Sequence, residues 1–241
     1  PPRSTLDRSS AASDVYKRQA YFIATIGFLL AGFCVIGLTD KSSLLRLPVV
    51  TENASSKIKL DSKATQLTVL LVVNHFVMVI IMAATPLHVQ DIGETIQVVG
   101  TIISYHTLGM FVFSPILGRF VDKVGSKKVS ITGGFILLIS CVCALNTSDI
   151  VLLHISLFLL GLGWNFNFVS ISSEISKYSI EKNTNLNIKS DSFVFVGSVF
   201  AQSSLGLTYT LIGFEGLVIF GTLAAIFLLF NLVRLSSKLL T

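Results

Sequence analysis

Residues 118–128 read GRFVDKVGSKK, and they interrupt two runs, 97–117 and 129–145, that are almost purely apolar. Two glycines, one aspartate and four basic residues in so short a stretch mark a place where the chain leaves an apolar medium. Glycine suits a tight connection in which two helices nearly touch or the backbone takes a positive φ. On that reading Gly118 closes one helix and Gly125 makes the turn. Asp122 suits the free N–H groups of a helix start, and Arg119, Lys127 and Lys128 suit helix C-termini or lipid headgroups. From spacing alone the segment is either a latch between helix ends or a charged turn that only orients the protein.

The flanking composition says which medium is being left. Of 241 residues, 52% are hydrophobic and 13% charged, with a mean hydropathy of +0.77. A soluble domain of this size carries roughly a quarter charged residues. The chain is therefore expected to be an integral membrane protein with the lipid bilayer as a partner. About twenty apolar residues cross a bilayer as a helix. Seven such runs are present, at 20–38, 65–84, 97–117, 129–145, 150–172, 192–210 and 215–233. The expected fold is an all-α, polytopic transmembrane helix bundle. The net charge of +5 comes from basic residues scattered through short loops, so nucleic acid is not expected as a partner. Cys34, Cys141 and Cys143 lie inside apolar runs without metal or disulfide spacing and are read as small core residues.

Basic residues also set an orientation. Fourteen of the 18 Lys and Arg fall in 39–64, 118–128, 173–191 and after 233, and none in 85–96, 146–149 or 211–214. By the positive-inside rule the first group of segments, including 118–128, is cytoplasmic. The other four, Arg3, Arg8, Lys17 and Arg18, sit in a polar, aperiodic start that would lie on the opposite face. Residues 1–19 are read as a non-native or disordered leader, and Asp14–Gln19 resembles the translated end of a sequencing-library adaptor. The Ser- and Lys-rich stretch 39–64 reads as a cytoplasmic linker between two halves. That gives 20–38 as the last helix of an N-terminal half and 65–241 as a C-terminal six-helix half. The expected location is an inner (plasma) membrane of bacterial type.

Gly118-Arg119-Phe120-Val121-Asp122-Lys123-Val124-Gly125-Ser126-Lys127-Lys128 resembles the loop motif of the major facilitator superfamily, roughly G-x-L-a-D-r-x-G-r-k. Gly118, Asp122, Gly125 and Lys128 match it. Lys123 and Lys127 are conservative replacements, and Phe120 and Ser126 depart from it. The resemblance implies a transporter in which this motif follows the second and eighth helices. With 39–64 as the central loop, the seven runs become helices six to twelve, the back part of that fold, and the motif follows helix eight. A missing N-terminal half is then an implied partner, and Asp122 is implied to latch a helix end of that half while the cytoplasmic side is closed. Ala84–His88, Ser104–Phe111 and Leu162–Phe166 resemble a bacterial drug-efflux-like branch. The implied activity is movement of a small-molecule substrate by alternating access, with proton-coupled efflux as the leading form and uptake, or a receptor on the same fold, as alternatives.

Polar side chains in mid-membrane are expensive and mark function or interhelical bonding. All 13 Asp and Glu lie in the leader, in loops or at helix ends. The remaining titratable candidates are His75, beside Asn74, and His106; each either carries a proton or packs against a neighbouring helix. Trp164 can stack on an aromatic or cationic ligand. Asn165 and Asn167 are too far apart in angle to share one helix face, so at least one faces away from a common cavity. Gln202 is the remaining polar candidate. Ser190 and Asp191 read as a helix N-cap, His88 and His154 as unremarkable groups near the outer face, and Pro115 as a kink. No phosphate-binding G-x-x-x-x-G-K-[ST] run, H-E-x-x-H helix or paired carboxylate occurs, so neither ATP-driven transport nor an intramembrane enzyme is expected, and no cofactor.

Overall fold

A computed structural model describes residues 62–145, 149–182 and 184–237, with six further positions between 22 and 33. Those six, Phe22, Thr25, Ile26, Leu29, Leu30 and Phe33, are helical. The leader, the linker and most of the first expected span lie outside the described residues. The chain divides into two units, 1–51 and 52–241, and the long helices and candidate site residues all belong to the second.

Six helices are described in this unit: α1 (Ser62–Asp91), α2 (Ile96–Phe111), α3 (Ser114–Val124), α4 (Ser126–Ala144), α5 (Ile150–Lys182) and α6 (Leu186–Ser237). Counting α2 and α3 as one interrupted rod, five stretches are long and apolar enough to cross a membrane. The last of them is folded in two. A straight helix of its 52 residues would be about 78 Å long, more than twice the thickness of a hydrocarbon core. Gly213, at φ 67° and ψ −176°, breaks it. Pairings with α1 show the reversal. Thr68 meets Ser190 and Asp91 meets Tyr209 on the way out, and His88 meets Phe214 and Phe76 meets Phe220 on the way back. Gly213 is free of the Cβ that disfavours this positive φ.

Several boundaries differ from those expected. The stretch 118–128 is not a loop. Gly118 lies inside α3 and has open space around it, Gly125 is the single non-helical residue, and Ser126–Lys128 already form the first turn of α4. Asp122 therefore sits on the last turn of α3, not at a helix start. Residues 173–182 continue α5 as helix, and α6 begins already at Leu186. At about 50 Å, the 33-residue α5 is long enough to carry its polar end beyond the hydrocarbon. Glu174 and Lys177 pair there at 3.4 Å. Ser190 and Asp191 lie within α6 rather than capping it, and Ser190 is fully buried against Thr68.

Pro115 has the effect expected of it. Without an N–H it cannot bond the Phe111 carbonyl, and its ring crowds that position. Phe111 is the last residue of α2, and Pro115 falls in the first turn of α3, where a proline is tolerated. The core is a continuous apolar cluster of Leu67, Leu71, Ile81, Leu137, Leu157, Leu160, Leu217 and Leu228 and their neighbours. Since lipid tails are as apolar as leucine, association here depends on close packing and interhelical hydrogen bonds. Gly109 and Gly161 supply the first: a Cβ on either would overlap the backbone of the facing helix, at Phe158 or at His106. Ser140 and Ser156 supply the second, each hydroxyl donating to the other's carbonyl at 2.8 and 2.9 Å.

Candidate solute site and motif turn

The middle of α5 faces two neighbours in turn. Trp164 and Asn167 look toward α1. The indole Nε1–H donates to Nδ1 of His75 at 3.2 Å, and the two rings meet edge to face at 5.7 Å. That bond occupies Nδ1 as an acceptor, so a neutral His75 carries its proton on Nε2. Phe168, one turn along α5, stacks on Trp164 at 4.9 Å. Beneath the rings, Asn167 Nδ2 donates to Asn74 Oδ1 at 3.0 Å and Asn74 Nδ2 donates to the Trp164 carbonyl at 3.2 Å. Both asparagines are wholly buried, and Asn167 Oδ1 has no partner among the described residues. His75 and Phe168 are half-buried, so of this group the rings are the part that reaches the surface of the unit.

Asn165 looks the other way, toward α3. Its Nδ2 donates to the Ser114 hydroxyl at 3.0 Å, and that hydroxyl lies within donating distance of Asn165 Oδ1 at 3.2 Å and of the Met110 carbonyl at 3.1 Å. The divergence of Asn165 and Asn167 follows from their spacing, as the helical period requires. Ser114 and Phe168 did not stand out in the sequence. Phe168 carried a signal, a second aromatic at i+4 from Trp164; Ser114 carried only its place before Pro115.

The other candidates are dispersed. His106 is buried between α2 and α5, its Nδ1–H donating to the Leu157 carbonyl at 2.9 Å, while its Nε2 has no partner among the described residues. Its partner on α5, Leu157, stands about two turns before Trp164, the partner of His75. Gln202 is exposed on the first arm of α6. Cys141 is fully buried and Cys143 partly so. His88 stacks on Phe214 at 4.2 Å. His154 is better connected than its position suggested. Its Nδ1–H donates to the Ile150 carbonyl, its Nε2 meets the Thr101 hydroxyl at 2.9 Å, and with Tyr105, Leu108 and Phe158 it lines a groove of about 550 Å³.

The motif residues form an amphipathic helix and a one-residue turn. Leu117 and Val121 of α3 pack on Val129, Phe166 and Val169, while Arg119, Asp122 and Lys123 are exposed and Ile116 and Phe120 face outward. Gly125 holds φ 94° and ψ 140°. Asp122 has no hydrogen-bond or ion-pair partner among the described residues. Lys128 is exposed and Lys127 half-buried on the first turn of α4.

Residues 67–239 match the family model described as Major Facilitator Superfamily. The chain belongs to the major facilitator superfamily. Two proteins of Bacillus subtilis (strain 168), each named an uncharacterized MFS-type transporter, resemble this superfamily chain: YdeG is 38% identical over 102 residues and YddS 36% over 104. Each match covers 42% of this chain and 24% of the relative. The riboflavin transporter RfnT of Brucella anthropi is 24% identical over 132 residues, 55% of this chain and 33% of that protein. The chain thus spans about a quarter to a third of the length of the curated relatives it matches. No solved structure matches it. In this superfamily member no three His, Cys, Asp or Glu come together as a metal site among the described residues.

Proposed function

We propose that this chain is part of a secondary active transporter that moves a small solute by alternating access, with proton-coupled efflux as its direction and drive. The observation that carries the reading is the His75–Trp164–Phe168 group. It is a titratable ring and an aromatic stack at mid-helix depth, held by buried amides, in a unit whose described carboxylates lie toward helix ends. Family membership supports transport as the activity. Sites of this kind lie between two halves of a transporter, which favours 65–241 as one half, 20–38 as the last helix of the other and 39–64 as a cytoplasmic linker. In that arrangement the motif turn is cytoplasmic in a bacterial inner membrane, and the partner is an N-terminal half.

Within the proposed site, Asn74 and Asn167 hold α1 to α5 and aim Trp164, His75 accepts or delivers a proton, and Trp164 stacks against the solute. Asn165 serves α3, and Gln202 and His106 are secondary candidates, the former on an open helix face and the latter as an alternative proton carrier. Flat aromatic solutes suit the stack, and riboflavin, named for one relative, belongs in the first panel tested.

Proteoliposomes decide between transport and a receptor role. The full-length protein should give saturable, pH-gradient-driven flux of at least one panel solute, and residues 20–241 alone should match empty vesicles. Flux equal to empty vesicles for the full-length protein across the panel, with binding retained, would favour the receptor. Saturable flux by 20–241 alone would overturn the half-transporter reading.

A further inference from the structure

The rod 96–124 is broken where it passes the middle of α5, and one side chain at the break, Ser114, is shared between the two sides. Ser114 stands in the first turn of α3, just after the break made by Pro115. Its hydroxyl has one proton and two acceptors in reach, the Met110 carbonyl behind it and Asn165 Oδ1 across from it. When the proton points to Asn165, two bonds join α3 to α5, because Asn165 Nδ2 donates to the same hydroxyl. When it points to Met110, one bond remains, and the hydroxyl serves the carbonyl end of α2 instead. The joint therefore has two discrete arrangements that differ by one interhelical hydrogen bond.

Its position on α5 gives it a second connection. Asn165 is the residue after Trp164, and it points away from the face that Trp164 shares with His75. The Trp164 carbonyl is itself held by Asn74. A small rotation of α5 that relaxes the Trp164–His75 contact must therefore carry Asn165 across Ser114. Beyond the joint, α3 is held by a small apolar cluster separate from the main core, Leu117 and Val121 against Val129, Phe166 and Val169. At its far end Gly125 permits reorientation. Phe166 lies next to Asn165, so the same rotation moves the seat on which α3 rests.

We propose that Ser114 and Asn165 are a positioning pair that couples the His75–Trp164 face of α5 to the helix carrying Arg119, Asp122 and Lys123. The inference builds on the solute site proposed above, but its test needs no solute, so failure of one leaves the other standing.

Spin labels at Lys123→Cys on α3 and Lys182→Cys at the end of α5, in the full-length protein with native cysteines replaced, read the α3 position in lipid nanodiscs. Trp164→Phe, which removes the indole donor, should change the ratio of the two α3 populations about twofold to thirtyfold, the range of couplings between sites within a protein. Ser114→Ala should shift that ratio by itself and abolish the response to Trp164→Phe. Ser114→Thr, which keeps the hydroxyl, should preserve both. Should Ser114→Ala fail to fold, Asn165→Leu serves in its place with the same expectation. The proposal is overturned by any of four results: an unchanged distribution in Ser114→Ala, no response to Trp164→Phe with the pair intact, a response that survives without the pair, or loss of folding in both variants, which makes the pair a structural tie only.

Discussion

α2 and α3 lie end to end on the same neighbour, α5, and are attached to it in opposite ways. α2 is fixed by backbone contact: Gly109 and Gly161 let main chains touch, and the buried His106 bonds the Leu157 carbonyl. α3 is fixed by side chains alone, one hydrogen-bonded pair and a patch of apolar residues, with Ile116 and Phe120 turned outward. A backbone contact has no alternative rotamer and cannot slip without a clash. A side-chain contact can exchange partners. The same rod thus joins a rigid segment to an adjustable one, and residues Gly118 to Val124 of the superfamily motif lie on the adjustable side.

The largest expected effect breaks the rigid side. Gly161→Leu puts a side chain into the backbone at His106 and Met110. Over-packing commonly costs about 1–3 kcal/mol, and more where backbone must move. The expected outcome is loss of a monodisperse peak in detergent on size exclusion. A variant that elutes and melts like the parent would show that α2 is as adjustable as α3.

A smaller effect is expected on the motif side. Asp122 is exposed and unpaired among the described residues, which leaves it available to a partner outside this unit. A charge-assisted hydrogen bond contributes about 1.5–3 kcal/mol, so Asp122→Asn should lower turnover of the full-length protein about tenfold or more. Expression and melting temperature should stay at parent values, because no contact within the unit is lost. Unchanged flux with unchanged cysteine accessibility from the cytoplasmic side would reduce the segment to a turn that only orients the protein.

The smallest effect should come from His106, and it sharpens the contrast. His106→Leu removes the bond to Leu157 but also removes the unpartnered Nε2. Interhelical hydrogen bonds in membranes average about 0.6 kcal/mol, so the two changes nearly cancel. Melting should move by less than about 3 °C, and the pH dependence of flux should persist. If His106→Leu instead abolishes gradient-driven flux while binding is kept, the proton pathway runs through the rigid side, not through His75.

The apolar runs from residue 65 onward were legible because twenty consecutive apolar residues have few other uses, and the break at Pro115 because a missing N–H acts locally. The opposed directions of Asn165 and Asn167 were legible from the helical period. Helix ends were not. Residues 173–182 look like a polar loop, yet a helix continues as readily outside a membrane as inside it, and Glu174 and Lys177 pair along it. Gly118 looked like a terminator because it begins a charged stretch, but Leu117 and Val121 pack on one face and keep the helix going through it. Partnerships across helices, Asn165 with Ser114 or Asn74 with Asn167, depend on rotations and offsets that no local pattern encodes. The motif was readable as a string, while its shape, a helix with a one-residue hinge, was not.

Trp164 is the sole tryptophan of the chain, and its indole N–H is committed to His75. The segment therefore contains its own optical reporter at the point where α1 and α5 meet. Indole emission responds to the loss of a hydrogen-bond partner and is quenched by a nearby imidazolium. Light emitted from this one residue would report the proton state of His75 and the separation of the two helices together, with no dye attached and no other indole in the chain to dilute the signal.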